Sequence, residues 1–175
     1  INAAKATIEG IEIETRINIT DQFSIQGSLG YTDAGFDEFL GFDADGVRGY
    51  DPVTDPAAAA ALKFERVPEL TYNIMANYFQ PLSNGAEIDF RLAYSYTDDF
   101  TNDALGTRAI ITDSYGLLDA SVSYTFAGSG LKLTVFGKNI TDEDYHDFAL
   151  DNALTSLTWG GVPDTYGLRL TYSFE

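Results

Sequence analysis

The sequence has 175 residues, which is enough for one domain with a core of its own. It carries 27 acidic residues against 10 basic ones, and this net charge of −17 argues against nucleic acid, whose phosphates need Lys and Arg. The absence of cysteine excludes disulfides and zinc–thiolate sites, and the single histidine, His146, excludes a multi-histidine metal site within this chain. We therefore expect no cofactor.

Seven segments alternate apolar and polar side chains with a period of two, as strands with one apolar face do. The sixth is the weakest, because Phe136 falls among polar residues such as Lys132 and Thr134. No segment has a convincing helical pattern, and no apolar run reaches the roughly 18 residues that a transmembrane helix needs. The sequence therefore predicts an all-β fold. In chain order, the predicted strands lie near 11–19, 23–32, 70–78, 87–96, 118–126, 131–138 and 166–174.

The connections between these strands alternate in length. Short turns are expected within 18–22, 80–87 and 127–130. Long, acidic loops are expected at about 33–65, 97–114 and 139–164. This alternation is typical of an antiparallel, up-and-down transmembrane β-barrel with periplasmic turns and extracellular loops. The strands also approach the roughly 9 to 11 residues that a tilted membrane-spanning strand requires.

Aromatic residues cluster near the ends of the predicted strands. Bands of this kind mark the two membrane–water interfaces of outer-membrane barrels, although Tyr and Phe are also simply good strand residues. The pattern favours contact with outer-membrane lipid, and so a location in the cell outer membrane of a Gram-negative bacterium. The predicted band consists of Tyr31, Phe36, Tyr78, Phe79, Tyr94, Tyr96, Tyr124, Phe126, Tyr172 and Phe174.

Seven strands do not suit a complete barrel. Single-chain bacterial barrels use even strand numbers from 8 upward, and an open sheet in lipid leaves unpaired backbone groups at two edges. The first residues show no initiator Met and no signal peptide. We therefore expect residues 1–175 to be the C-terminal part of a larger barrel.

Three segments, 6–14, 137–145 and 163–174, resemble the C-terminal part of the barrel of TonB-dependent outer-membrane receptors. They match the patterns A-T-x-x-G-x-E-x-E, G-x-N-x-x-D-x-x-Y and P-x-T-Y-G with a terminal aromatic, in the family's order. The resemblance extends over essentially the whole chain. It implies a 22-stranded barrel and an N-terminal plug domain that is absent from this sequence. Family members usually end on the aromatic residue, whereas Glu175 follows Phe174 here.

The resemblance implies active transport of a scarce, large ligand such as an iron–siderophore complex, cobalamin or an oligosaccharide. It implies as partners the remaining barrel strands, the plug, the TonB complex through an N-terminal segment outside this chain, and the barrel-assembly machinery. One alternative is a passive porin or adhesin barrel without energy coupling. A second alternative is a soluble β-sandwich binding module.

The predicted loops contain residues that suit ligand contact, because extracellular loops form the ligand entrance in this family. Each of them also has a simpler interpretation as a solvated or interfacial side chain. His146 lies among the acids of 142–147, but a catalytic base needs a positioned partner and a pocket, so we expect no enzyme activity. The ligand candidates are Arg48, Tyr50, Phe100, Arg108, Tyr145, His146 and Trp159.

Two further groups of residues are candidates for a role. The acidic stretch 42–55 suggests calcium, but its spacing does not match the D-x-[DN]-x-[DN]-G pattern, and a solvated surface loop explains it better. The last strand resembles the C-terminal assembly signal of the family, and it can equally be a lipid-facing strand. The weak calcium candidates are Asp43, Asp45, Asp51 and Asp55, and the proposed signal comprises Tyr166, Gly167, Leu168, Leu170, Tyr172 and Phe174.

Overall fold

A computed structural model describes residues 4–42, 48–50, 62–102, 111–152 and 155–174. Those residues form strands and turns, and none of their segments is a helix long and apolar enough to cross a membrane. The strands are β1 (Ala4–Asn18), β2 (Phe23–Phe42), β3 (Arg48–Tyr50), β4 (Leu70–Pro81), β5 (Glu87–Thr97), β6 (Phe100–Thr101), β7 (Ile111–Thr112), β8 (Tyr115–Thr125), β9 (Leu131–Lys138), β10 (His146–Asn152), β11 (Thr155–Gly160) and β12 (Thr165–Tyr172).

Seven of these strands form one antiparallel meander. Their order is β1-β2-β4-β5-β8-β9-β12, with the short β3 added to the end of β2. They coincide with the seven segments in which apolar and polar residues alternate, so the predicted sheet is confirmed. Each strand in this order is antiparallel to the next, so the chain reverses its direction at every connection. Short and long connections alternate along the chain. All short turns therefore lie at one end of the sheet and all long connections at the other.

The short turns are closed by side chains that accept backbone hydrogen bonds. The Thr20 hydroxyl accepts the N–H of Phe23 at 2.9 Å, and the Asn84 carbonyl oxygen accepts the N–H of Ala86 at 3.0 Å. Gly85 lies between the last two with φ +82°, a conformation that glycine adopts without steric cost. These local bonds explain why such short segments reverse the chain.

The three long connections are only partly loops, so the predicted loop boundaries were wrong there. β2 continues to Phe42 because β1 begins early and supplies partners as far as Phe39, with Glu9 opposite Asp33 and Lys5 opposite Glu38, and because β3 then pairs with Phe42. The other two connections each contain a separate hairpin, β6–β7 and β10–β11. Outside the membrane both faces of a hairpin can be solvated, so period-two alternation does not reveal it. β1 and β2 accordingly have 15 and 20 residues, more than spanning requires.

One face of the sheet is apolar and open. The register places Ile13 beside Leu29 and Leu29 beside Tyr72, so apolar side chains continue across neighbouring strands. On the last strand the exposed fraction is 73% for Leu168 and 67% for Leu170. A soluble protein rarely exposes so large a continuous apolar surface, whereas lipid requires one.

The opposite face is polar. On it the Lys132 ammonium lies 3.0 Å from the Asp89 carboxylate, and the hydroxyls of Ser123 and Thr134 lie 2.9 Å apart. Phe79, predicted to belong to an interfacial band, pairs with Asp89 and lines a groove on this polar face. That part of the aromatic prediction is wrong, because the alternation along β4 turns Phe79 away from the apolar side.

Candidate functional site

The long connections supply most of the buried apolar side chains in the described part of the chain. Leu62, Phe100 and Ala149 are three of the four buried hydrophobic residues in the described part of the chain, with exposed fractions of 4%, 7% and 1%. Each of them belongs to a different long connection. The predicted sheet gives no reason for these three connections to contact one another. We call these residues, together with Arg66 and Phe148, the loop cluster.

Arg66 joins two of the connections within the loop cluster. Its guanidinium carbon lies 5.9 Å from the ring centre of Phe100 and 5.5 Å from that of Phe148, both within cation–π range. The Arg66 N–H donates a hydrogen bond to the carbonyl of Thr101 at 2.9 Å. Its φ of +58° is uncommon for a residue other than glycine and costs of order 1–3 kcal/mol. The surrounding contacts therefore hold this backbone conformation in place.

Two predicted ligand candidates meet at this cluster. The ring of Phe148 lies 5.2 Å from that of Trp159 on the paired strand β11, so Phe100, Arg66, Phe148 and Trp159 form one chain of contacts. Trp159 keeps 49% of its surface exposed. The exposed part of its indole is available to an approaching molecule.

Tyr145 and His146 lie at the base of the β10–β11 hairpin, apart from the loop cluster. The Tyr145 ring stacks on that of Tyr115 at 4.2 Å, and its hydroxyl oxygen accepts the N–H of Val162 at 3.2 Å. His146 opens β10, is exposed, and pairs with Gly160. These contacts give Tyr145 a structural role at the hairpin base.

The remaining predicted candidates are less informative. Arg48 and Tyr50 are the first and last residues of β3, and they pair with Phe42 and Phe39 of β2. Within the described ranges, no group of three or more potential ligand side chains is placed to hold a metal ion. Arg108 and the calcium candidates Asp43, Asp45, Asp51 and Asp55 lie outside the described residues.

The residues of the proposed assembly signal take three positions. Tyr166, Leu168, Leu170 and Tyr172 share the exposed apolar face. Phe174 follows the end of β12, is 89% exposed, and makes an edge-on contact with the Tyr172 ring. Gly167 lies on the polar face beneath the ring of Phe136, where an added Cβ would come within 2.5 Å of that ring.

Sequence reasoning missed four residues at this end of the sheet. Arg66 and Phe148 complete the contact chain, and Phe36 stacks on Phe64 with ring centres 4.2 Å apart and planes inclined by 9°. Phe36 was assigned to the interfacial band, but it lies on the part of β2 that extends past the predicted strand. The one available signal was that each of the four is a large or charged residue within a predicted loop or, for Arg66, directly beside one.

A cavity of about 470 Å³ adjoins the loop cluster. The rings of Phe36, Phe64 and Phe100 contribute to its wall, together with acidic residues such as Glu69 and Asp99. Its volume falls within the range of small-molecule sites. Aromatic faces and carboxylate acceptors suit a ligand with flat apolar groups and hydrogen-bond donors.

A second, open groove of about 760 Å³ runs along the polar face near the short turns. Arg16, Arg91, Lys132 and Arg169 line it, with Asp89 between them. The Arg91 Nε donates to the side-chain oxygen of Asn77 at 3.1 Å. Four of the ten basic residues of the chain therefore lie along this groove, away from the loop cluster.

The family described as TonB dependent receptor-like, beta-barrel, matches residues 1–140. Three solved structures share the fold. The ferric yersiniabactin uptake receptor FyuA from Yersinia pestis has 19% identity and a TM-score of 0.78, covering 99% of this chain and 24% of that one. The siderophore receptor PiuA from Acinetobacter baumannii has 16% identity and a TM-score of 0.73, covering 97% and 22%. The Ferric-Catecholate import receptor Fiu from K12 E. coli has 20% identity and a TM-score of 0.69, covering 95% and 21%.

The chain thus spans less than a quarter of the length of each of these structures. A soluble β-sandwich would need a second sheet packed on the first, and in the described residues the apolar face of the sheet is open instead. The sequence identity to the solved structures is too low to assign a family. The family match over residues 1–140 does assign one. The chain belongs to the TonB-dependent receptor family, and its sheet is part of the wall of a β-barrel in the outer membrane of a Gram-negative bacterium.

Proposed function

We propose that this chain is part of a receptor that imports an iron–siderophore complex across the outer membrane with energy supplied through TonB. The observation that carries the proposal is the continuous antiparallel wall, apolar on one face and polar on the other, in a chain of the TonB-dependent receptor family. Residues 1–175 then form the C-terminal seven main strands of a larger barrel. The plug and the segment that contacts TonB belong to the rest of that receptor.

The ligand class is inferred from two observations. The three similar structures are named a ferric yersiniabactin uptake receptor, a siderophore receptor and a Ferric-Catecholate import receptor. At identities of 16–20% they carry the fold, so the ligand is part of the proposal. The cavity beside the loop cluster adds aromatic surface in a volume suited to a medium-sized organic ligand. No described feature favours cobalamin or an oligosaccharide in the same way.

Among the ligand candidates, we place Phe100 and Trp159 first. Both belong to the contact chain through Arg66 and Phe148, which fixes their positions relative to one another. A preorganised aromatic surface loses less conformational entropy when it binds a ligand. Tyr145 is better explained by its contacts at the hairpin base.

We also propose that β12 is the assembly signal recognised by the barrel-insertion machinery. Its outward row of Leu168, Leu170 and Tyr172 is exposed, and β12 pairs along one edge with β9. In the described residues its other edge has no partner strand. An edge strand of this kind is a template for pairing with another strand.

Uptake of radiolabelled iron tests the function. The full-length receptor is expressed in an iron-starved Gram-negative host without receptors of its own for the probes. We expect uptake of iron from ferric yersiniabactin or from a ferric catecholate, and its loss when TonB is deleted. Uptake that persists without TonB would indicate a passive porin. Uptake of cobalamin or an oligosaccharide instead of either iron complex would show that the ligand class is wrong.

A further inference from the structure

One side chain ties together the two ends of the segment that carries the β10–β11 hairpin. Asn139 is 2% exposed, and its amide nitrogen donates to the carbonyls of Glu143 at 2.9 Å and Val162 at 3.1 Å. Its side-chain oxygen accepts the N–H of Glu143 at 2.9 Å. The outgoing and returning chain are thus held by a single buried amide, which we call the Asn139 clasp.

The Asn139 clasp is fixed to the barrel wall. The backbone N–H of Asn139 donates to a carboxylate oxygen of Asp119 in β8 at 2.9 Å, and the next N–H, that of Ile140, donates to the carbonyl of Leu118 at 2.8 Å. Asn139 has φ +47°, in the left-handed region that Asn tolerates better than most residues. Both its conformation and its bonds therefore depend on this position next to β8.

Tyr145 adds a second fixture at the hairpin base. Its carbonyl accepts the N–H of Gly161 at 2.7 Å, its hydroxyl oxygen accepts the N–H of Val162, and its ring stacks on Tyr115 at the start of β8. A Cβ at Gly161 would overlap the Tyr145 ring, so the returning chain can pass this closely only as glycine. The hairpin base is therefore held to β8 at two points, Asn139 with its neighbour Ile140 and the ring of Tyr145.

In the described residues, the hairpin also contacts the rest of the chain away from its base. β10 packs on β7, and Phe148 faces the Arg66 guanidinium. An isolated two-stranded hairpin is marginally stable in water. The orientation of β10–β11 therefore rests on the Asn139 clasp at its base and on the loop cluster near its middle.

We propose that Asn139 is a positioning residue that holds the β10–β11 hairpin in one orientation, so that Phe148 and Trp159 stand ready before a ferric siderophore arrives. This inference rests on the proposed function. A receptor whose hairpin is oriented only part of the time binds with an affinity reduced by that fraction. Loosening the clasp should therefore weaken binding without changing the contacts made in the complex.

The test uses the full-length receptor with Asn139→Gly. Glycine keeps the positive φ and removes the side chain with its three amide hydrogen bonds. We expect faster hydrogen exchange confined to residues 143–162 and unchanged exchange in β8, β9 and β12. For ferric yersiniabactin or a ferric catecholate, whichever the wild type binds, Kd should rise about tenfold if the oriented fraction falls to about a tenth. The rise should come from a slower association rate, with dissociation unchanged.

Asp142→Gly is the matched control. Asp142 lies in the same turn with φ +52° and an exposed side chain, so glycine there should leave both exchange and Kd unchanged. Tyr145→Phe is a second variant for the case that Asn139→Gly does not reach the membrane. It removes the hydroxyl oxygen that accepts the Val162 N–H and keeps the stacked ring, and we expect a smaller change in the same direction.

A general folding defect would lower the number of binding sites and leave the Kd of the remaining sites unchanged. Faster exchange at 143–162 with an unchanged Kd overturns the positioning role. Unchanged exchange in both variants overturns the clasp itself. If the wild-type receptor binds neither iron complex, the proposed ligand class is wrong, and hydrogen exchange alone decides whether Asn139 holds the hairpin.

Discussion

The Lys132 ammonium and the Asp89 carboxylate form an ion pair at 3.0 Å on the polar face, joining β9 to β5 across the intervening strand β8. Both side chains are 40% exposed. Pairs in such wet surroundings contribute about 0–1 kcal/mol, because water already solvates both charges. The contribution of this ion pair to stability therefore indicates whether the polar face is hydrated.

We expect Asp89→Asn to lower the free energy of unfolding of the full-length receptor by less than about 1 kcal/mol. The measurement is urea unfolding in detergent micelles at low and high salt, and the difference from the wild type should shrink as salt screens the charges. Asp119→Asn is not a suitable control, because Asp119 accepts the N–H of Asn139. A double-mutant cycle with Lys132→Met isolates the pair. A coupling of several kcal/mol would mean that this face is dry.

The loop cluster provides a second prediction. Arg66→Ala removes the cation between Phe100 and Phe148, and because Arg66 is exposed each of these ring contacts is worth roughly 0.5–1 kcal/mol. Hydrogen exchange should then accelerate in β6 and β10 together, since both lose the same partner. Arg66→Lys keeps the charge, so its exchange rates in β6 and β10 should lie between those of the wild type and those of Arg66→Ala. Lys63→Ala, an exposed basic residue of the same segment, is the control and should change little. Acceleration in only one of the two strands would contradict a shared cluster.

The main strands of the wall could be predicted because one physical requirement recurs along each of them. In a strand between lipid and a polar interior, apolar and polar side chains must alternate. The face of a residue such as Ile11, Ile13, Ser24 or Gln26 can therefore be predicted from its immediate neighbours in sequence. Even the irregular sixth strand has an explanation. Phe136 lies on the polar face because it covers Gly167 of the next strand, and Arg169 lies over its ring at 5.5 Å.

The site could not be predicted in the same way. Arg66, Phe100 and Phe148 are far apart in sequence, and their meeting depends on how three connections fold back over one end of the sheet. The Asn139 clasp binds the backbone carbonyls of Glu143 and Val162, and a side-chain pattern carries no information about such bonds. Only the family resemblance drew attention to Asn139, without indicating its partners.

A third prediction concerns the close contact between β9 and β12. Gly167→Ala places a Cβ about 2.5 Å from the Phe136 ring, so the ring or the strand must shift. Overpacking of this kind costs about 1–3 kcal/mol. We expect a lower yield of folded barrel, seen as a smaller fraction that resists unfolding in SDS without heating. Gly35→Ala is the matched control, since no atom lies within 4 Å of a Cβ there. Equal yields for the two variants would show that Phe136 moves aside freely.

The two faces of β12 can be told apart by adding the same charge to each. Leu170→Lys places an ammonium on the apolar face, and Thr171→Lys places it on the polar face one residue later. On the lipid side of a barrel, Lys costs about 2–4 kcal/mol at the midplane and about 0–1 kcal/mol near the interfaces.

We therefore expect Leu170→Lys to lower the free energy of unfolding in lipid bilayers by more than Thr171→Lys does. The measurement is denaturant-driven unfolding of the full-length receptor in vesicles, with Leu168→Lys as a second outward position closer to the middle of the strand. The cost at Leu168 should be at least as large as that at Leu170, because depth in the bilayer sets it. If Thr171→Lys is the more damaging change, then the polar face is the lipid side and the orientation of the whole wall is reversed.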